Sequence, residues 1–69
     1  MVDPRATGAY ISRLRRARDW TQLQLAEKLS VTHQAVSRWE TGESFPDVVV
    51  LYNLARLFSA PLGSPRPAR

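Results

Sequence analysis

Apolar residues in the first half of the chain recur every three or four positions, the spacing that an α-helix places on one face. The first such stretch runs from about Ala6 to Arg18, and arginines and a serine fill its other face. A second runs from Thr21 to about Leu29, and the Thr21 hydroxyl can accept from an exposed N–H of the first turn. We therefore predict two helices joined at Asp19. The apolar positions of the first are Tyr10, Ile11, Leu14 and Ala17.

A third helix is predicted after a tight turn at Ser30-Val31. Thr32 can cap its first turn with a side-chain oxygen. The helix continues to about Glu40 and ends at Thr41-Gly42, because glycine tolerates the left-handed backbone conformation common at helix ends.

A fourth helix is predicted to open at Pro46 and Asp47, because proline suits a first turn, where its missing N–H has no intrahelical partner. The valines at 48–50 would suit a β-strand. However, the apolar positions that follow have the helical spacing i, i+3, i+4 and i+7, so we predict a helix. These positions are Leu51, Leu54, Ala55 and Phe58.

The two ends of the chain differ from the helical middle. Residues 1–5 contain Asp3-Pro4 and are interpreted as a flexible arm. Residues 59–69 hold three prolines, a glycine and two serines, a composition that predicts a disordered tail or linker. The predicted fold class is all-α, a compact four-helix domain over residues 6–58.

Composition excludes several kinds of site. The chain of 69 residues has no cysteine and one histidine, so disulfides, cysteine-ligated zinc and multi-histidine metal sites are not expected. No apolar run approaches the ~20 residues that span a membrane, and no signal peptide is evident. We expect a soluble, cytoplasmic protein without a cofactor.

The net charge of +4 is unevenly distributed along the chain. Residues 1–18 carry five arginines and one aspartate, net +4, whereas residues 20–47 carry two basic and four acidic side chains, net −2. A high isoelectric point favours a nucleic-acid partner.

The segment from Thr21 to Asp47 predicts two short helices packed across the turn. Such a crossing requires a small residue where the backbones approach, and Ala26 stands there. The apolar residues expected to share the core with it are Leu25, Leu29, Val31, Val36 and Trp39. The other face of the third helix carries polar side chains of the kind that reach base edges in a DNA major groove.

These residues resemble the phage-repressor and Cro type of helix-turn-helix, the XRE family, over roughly residues 6–58. The resemblance implies a lambda-repressor-like domain of a transcription regulator, with the recognition helix at about 32–40 in the major groove of double-stranded DNA. The motifs that carry it are Ile11-x-x-Leu14-Arg15, Trp20-Thr21-Gln22-x-x-Leu25-Ala26-x-x-Leu29, Ser30-Val31-Thr32-x-x-Ala35-Val36-Ser37-x-Trp39-Glu40-x-Gly42 and Pro46-Asp47.

The resemblance implies that bases are contacted by the start and outer face of this helix, at His33, Gln34, Ser37 and Arg38. Their chemistry agrees. Gln34 can make a paired contact to adenine N6 and N7, and Arg38 to guanine O6 and N7. His33 can donate or accept, depending on its tautomer.

Phosphate contacts are expected around this face. The resemblance implies one at Gln22, assisted by the N-terminus of the second helix. Further candidates are Thr21, Thr32 and the loop from Thr41 to Ser44, with its backbone as well as the side chains of Thr41 and Ser44, and capping is an equally good interpretation of Thr21 and Thr32. In relatives, the positions of Arg15 and Glu40 form an ion pair that ties the first helix to the recognition helix.

The sequence departs from the family pattern at several positions. Asp19 and Ser30 stand where glycine is frequent, so positive φ angles are expected there. Glu43 occupies a position that is commonly basic and contacts phosphate. The tail replaces a final helix that often forms a dimer interface, and no exposed apolar helix is predicted to take its place. We therefore expect an isolated monomer whose natural target contains two related half-sites, bound by two copies.

A second interpretation makes the same helices a protein-interaction module, such as an antitoxin-like partner. Glu43 and the acidic balance of residues 20–47 support it. An enzyme is not expected, because one histidine, no cysteine and no paired carboxylates leave little for acid–base or nucleophilic chemistry. No small-molecule substrate is evident.

Overall fold

The computed structural model describes residues 3–59, which form four α-helices and no β-strand. The helices are α1 (Pro4–Ala17), α2 (Gln22–Leu29), α3 (His33–Thr41) and α4 (Val48–Phe58). The all-α prediction is confirmed, and the three valines that would suit a strand lie in α4. From residue 60 onward, the predicted tail lies outside the described residues.

Helix α1 begins earlier than the sequence predicted. The Asp3 carboxylate accepts from the backbone N–H of Arg5 at 3.0 Å, and Pro4 takes the first helical position. The interpretation of Asp3-Pro4 as part of a loose arm was therefore wrong. An aspartate cap followed by proline is a helix start, because proline lacks the N–H that the first turn leaves unpaired.

The remaining helices start with side-chain caps. Thr21 and Gln24 form a reciprocal capping box at 3.0 and 2.8 Å, and the Thr32 hydroxyl accepts from the N–H of Ala35 at 3.1 Å. At α4 the prediction needs correction. Asp47 is the cap, and Pro46 is a buried residue that precedes it rather than part of the first turn.

Two turns use the left-handed backbone at residues that are not glycine. Asp19 has φ 58° and Ser30 has φ 57°. Positive values were predicted at both, because they stand where glycine is frequent in the family. At the second turn, Val31 donates its N–H back to the carbonyl of Ala26 at 3.0 Å, which closes α2 tightly before α3 begins. The two helices of the motif thereby turn within a few residues.

The core lies where α2 and α3 cross, with α1 and α4 packed around them. Leu25 and Val36 are completely buried, Ala26 is 1% exposed and Trp39 is 6% exposed. These positions confirm the predicted core, although Val31 is half-buried. The other buried apolar residues are Ile11, Leu29, Leu54 and Phe58.

Helices α1 and α3 approach each other at a glycine. Gly8 is buried, and a Cβ added there would overlap the carbonyl oxygen of Trp39. Only hydrogen fits at this crossing, so α1 lies directly against the backbone of α3 at Trp39 and Glu40.

One expectation about the surface was wrong. Helix α4 begins with an exposed apolar surface, although no such helix was predicted. We call it the α4 patch, and its members are Phe45, Val48, Val49 and Tyr52, with exposed fractions of 39%, 79%, 67% and 54%. The helical spacing placed the later residues of α4 in the core correctly but did not show that Val48 and Val49, in its first turn, remain exposed.

Candidate nucleic-acid interface

The outer face of α3 carries the four side chains predicted to contact bases. His33, Gln34 and Arg38 are exposed and Ser37 is half-buried, whereas Val36 and Trp39 on the opposite face are buried. Positions i, i+1, i+4 and i+5 share one side of a helix. The structure therefore brings all four together on one surface, which we call the α3 face.

Two of these side chains are free to bind a partner. Among residues 3–59, Gln34 and Arg38 have no side-chain hydrogen bond, ion pair or cation–π contact. Two other arginine side chains differ from Arg38 in this respect. Arg15 is bound within an ion pair, and the guanidinium of Arg18 lies 4.9 Å from the ring centroid of Phe58. The α3 face thus presents an amide and a guanidinium that make no hydrogen bond, ion pair or cation–π contact within the described part of the chain.

The loop after α3 differs from what was expected. Phosphate contacts were considered for its backbone as well as its side chains. However, the N–H groups of Gly42, Glu43 and Ser44 all donate back to α3 carbonyls, at 3.1, 2.9 and 3.3 Å. The hydroxyl of Thr41 is also near Arg38 O and Glu43 Oε1, at 3.2 and 3.4 Å. These three N–H groups are therefore already bonded within the protein, and a phosphate contact at Thr41 or Ser44 would use their side chains.

Behind the α3 face, Arg15 of α1 and Glu40 of α3 form a two-pronged ion pair. Arg15 Nε lies 2.7 Å from Glu40 Oε2, and Nη2 lies 2.9 Å from Oε1. The third prong, Nη1, donates to the carbonyl of Trp20 at 2.8 Å. The two side chains are only 11% and 7% exposed. A planar guanidinium matched to a carboxylate in this way holds two helices in a defined orientation.

The electrostatics of this pair follow from its burial and its hydrogen bonds. Burial alone would raise the pKa of Glu40, but hydrogen bonds from Arg15 and Gln22 and the charge of Arg15 outweigh burial, so this pKa lies below its ordinary value. The hydrogen bond to Glu40 raises the pKa of Arg15. Glu40 is therefore ionised at neutral pH.

Gln22 joins this pair to the α3 face, a connection that the sequence did not predict. Its Nε2 donates to Glu40 Oε1 at 3.0 Å, and its Oε1 lies 3.1 Å from His33 Nε2. The phosphate prediction had treated Gln22 as a free polar group at a helix start. No local sequence signal reveals the connection, because Gln22 and Glu40 are 18 residues apart and meet only through the crossing of α2 and α3.

The aromatic residue at the start of the motif belongs to the packing. The rings of Trp20 and Phe58 lie 5.6 Å apart, and the Lys28 ammonium sits 4.6 Å from the centre of the Trp20 ring. This cluster ties the end of α4 to the start of α2.

Two further features bear on the kinds of site present. In the described range, no three histidine or acidic side chains gather in a way that could hold a metal ion. None of the helices within residues 3–59 is both long enough and apolar enough to cross a membrane.

The short α2–turn–α3 unit, with one polar helix face outward and α1 and α4 packed around it, defines a helix-turn-helix domain. The sequence profile of the Helix-turn-helix family matches residues 11–63, so the chain belongs to that family. This match confirms the resemblance drawn from the motifs.

One relative is the HTH-type transcriptional activator BcrR of Enterococcus faecalis. It is 39% identical over 49 residues, which make up 71% of this chain and 24% of that protein. The present chain thus spans about a quarter of the length of that relative. No solved structure gives a significant match.

Proposed function

We propose that this domain binds double-stranded DNA in a sequence-specific manner as part of a transcription regulator, with α3 in the major groove. The observation that carries the proposal is the α3 face, where Gln34 and Arg38 are exposed on a helix whose opposite side is buried, and where neither makes a side-chain hydrogen bond or ion pair with any of residues 3–59. An α-helix fits the major groove, and these two side chains match adenine and guanine edges. Family membership and the relative described as a transcriptional activator support it.

Phosphate contacts would come from the rim of this face. The first turn of α2, at Gln22, presents N–H groups without intrahelical partners, which favour an anion. The hydroxyls of Thr21 and Thr32 accept the capping hydrogen bonds, so each keeps its own hydrogen to donate. Thr41 and Ser44 complete the proposed set from the other end of α3.

Two copies are proposed to act together on DNA. One recognition helix contacts only a few base pairs, which is too little to select a site among ~10⁶ or more competitors. Two related half-sites about one helical turn apart would supply the missing selectivity. The α4 patch offers an apolar surface for pairing on DNA. The role requires no catalysis, and binding to the chromosome would place the protein at the nucleoid.

The test is selection of bound sequences from random duplex DNA at two salt concentrations. Wild type should enrich one motif, and its affinity should fall steeply with salt because neutralised phosphates release counterions. A double variant, Gln34→Ala with Arg38→Ala, should keep its thermal melt but enrich no motif. Failure of the wild-type protein to enrich any sequence, or binding that does not depend on salt, would contradict the proposal.

A second candidate is a protein-interaction module, such as an antitoxin-like partner. The α4 patch favours it, because four exposed apolar residues fall within one short segment, and grouped apolar exposure is typical of protein-contact surfaces. Substitutions distinguish the two functions. Replacing apolar residues of the α4 patch with charged ones should abolish a protein contact but leave binding to one DNA half-site intact.

A further inference from the structure

A continuous series of hydrogen bonds runs from the interior of the domain to the edge of the α3 face. It begins at Arg15, which holds both oxygens of Glu40 at 2.7 and 2.9 Å. Glu40 accepts from the amide nitrogen of Gln22 at 3.0 Å, and the amide oxygen of Gln22 lies 3.1 Å from His33 Nε2. Each link has a direction, and that direction determines which hydrogen-bonding group His33 presents to solvent.

The first direction is set by Glu40. An ionised carboxylate only accepts hydrogen bonds, so the group of Gln22 that faces it must be the NH₂. If the amide were turned the other way, its oxygen would oppose a charged carboxylate oxygen. The interior ion pair therefore fixes the orientation of the Gln22 amide and directs its oxygen at His33.

The second direction is set by Gln22. An amide oxygen only accepts, so Nε2 of His33 must carry the hydrogen that it shares with this oxygen. In neutral imidazole one nitrogen has a hydrogen and the other has a lone pair. The lone pair of neutral His33 is consequently on Nδ1, and no hydrogen bond within residues 3–59 uses that atom.

We propose that Gln22 presets neutral His33 as a hydrogen-bond acceptor, so that the base it meets carries an exocyclic amino group. In the major groove these groups are adenine N6 and cytosine N4, whereas guanine and thymine present only acceptors there. The inference rests on the proposed function and assigns the chemistry of one contacted base. Gln22 is then a positioning residue, and its second amide hydrogen stays free for a phosphate.

The first test needs no DNA, and the chain has one histidine, so its ring signals are unambiguous. Nitrogen-15 NMR at about pH 8, where an ordinary histidine is neutral, should show the Nε2–H tautomer and a detectable Nε2–H proton. The Gln22→Met side chain has the same length but cannot accept a hydrogen bond. The His33 Nε2–H proton should then exchange with water, and its signal should be lost. Gln34→Met is the matched control, because Gln34 is exposed and makes no side-chain hydrogen bond with the residues that the structure describes. A dominant Nδ1–H tautomer, or a proton unchanged by Gln22→Met, would overturn the inference.

The second test measures base discrimination. The position contacted by His33 is the one at which His33→Ala loses selectivity. There, removing the amino group, for example with purine in place of adenine, should weaken wild-type binding about fivefold to tenfold, the worth of one hydrogen bond. The same replacement should leave the affinity of the His33→Ala variant almost unchanged. Gln22→Met should reduce the discrimination at this position alone, because a lost phosphate contact weakens all duplexes equally and cancels in the ratio.

The outcomes separate the inference from the proposed function. Unchanged wild-type affinity when the amino group is removed at this position, or an unchanged ratio in Gln22→Met, overturns the inference while DNA binding stands. Absence of selective binding to any duplex overturns the proposed function and the base contact with it, and the NMR result then reports on the Gln22–His33 hydrogen bond alone.

Discussion

The two sides of α3 differ in how completely their polar groups are satisfied. On the inner side, Trp39 is buried and Glu40 has both carboxylate oxygens bound by partners from α1 and α2. On the outer side, Gln34 and Arg38 are exposed and make no side-chain hydrogen bond within residues 3–59. One short helix thus carries a rigid side that sets its position and an open side that can bind a partner.

The difference shows how a domain this small can present a defined surface. A helix of nine residues has little stability of its own, and most of its order comes from packing. The ion pair and the core hold α3 from behind, so that its open side chains do not have to contribute to folding. Substitutions on the inner side should therefore change stability, and those on the outer side should change binding.

The largest effect is expected at Trp39. Truncating a buried tryptophan costs about 3–5 kcal/mol, which is comparable with the whole stability of a small domain. Trp39→Ala should be largely unfolded at room temperature, as measured by circular dichroism during thermal melting. Tyr52→Ala is the control, because Tyr52 is 54% exposed and its loss should leave the melt nearly unchanged. A cooperative, native-like melt of Trp39→Ala would contradict the packing assigned to the inner side.

A smaller loss of stability is expected at Glu40. Glu40→Gln leaves Arg15 nearly buried without its charged partner, and we expect a cost of about 1–3 kcal/mol, below that of a fully buried pair. Urea unfolding measures this cost, and Glu27→Gln is the control, because Glu27 is an exposed glutamate on α2. Equal stability of the two variants would show that the pair does not hold α1 to α3.

The pair also predicts a dependence on pH. The pKa of Glu40 is lowered in the folded protein. Its contribution to the free energy of unfolding is therefore complete above its pKa in the unfolded chain and is lost as the pH falls through its pKa in the folded protein. Wild-type stability should therefore decline at acidic pH more steeply than that of Glu40→Gln. Unfolding midpoints from neutral to acidic pH measure the two slopes, and parallel slopes would be the contrary result.

On the outer side, Arg38→Ala should change binding and leave folding intact. Losing a paired contact to guanine should cost about 1–3 kcal/mol on the preferred site and relax selectivity at one position. Arg56→Ala removes the same charge from α4, where the guanidinium lies 5.8 Å from the centre of the Tyr52 ring. Titrations on matched and mismatched duplexes compare the two variants. An equal loss of affinity on every sequence would show that Arg38 binds phosphate instead of a base.

The smallest effect is expected in the α4 patch. Val49→Asp should leave binding to one half-site unchanged, because Val49 is 67% exposed and lies outside the α3 face. On a duplex with two half-sites, it should lower cooperative binding by a few-fold, since a charge in an apolar contact is costly to desolvate. Ala6→Asp adds the same charge at an exposed residue of α1, outside the patch, and is the control. Unchanged cooperativity would exclude this surface from pairing.

Most of the fold could be predicted from the chain itself, because its signals are local. Apolar spacing located four helices, Thr21 and Thr32 marked two starts, and Gly42 marked an end. The arm was mispredicted because Asp3-Pro4 was interpreted as a break, although the same pair caps α1. The α3 face was also accessible from sequence, since side chains at i and i+4 of one helix must share a side.

What the sequence determined, then, is the presence and approximate extent of four helices and the apolar side of α2 and α3, because these follow from bonds and spacings within a few residues. Only the tertiary structure decided that Gln22 links Glu40 to His33 and that Val48 and Val49 remain uncovered. These facts depend on where one helix crosses another. Arg15 and Glu40 are 25 residues apart, so the distance between them is set by the packing of the whole core and by no local preference.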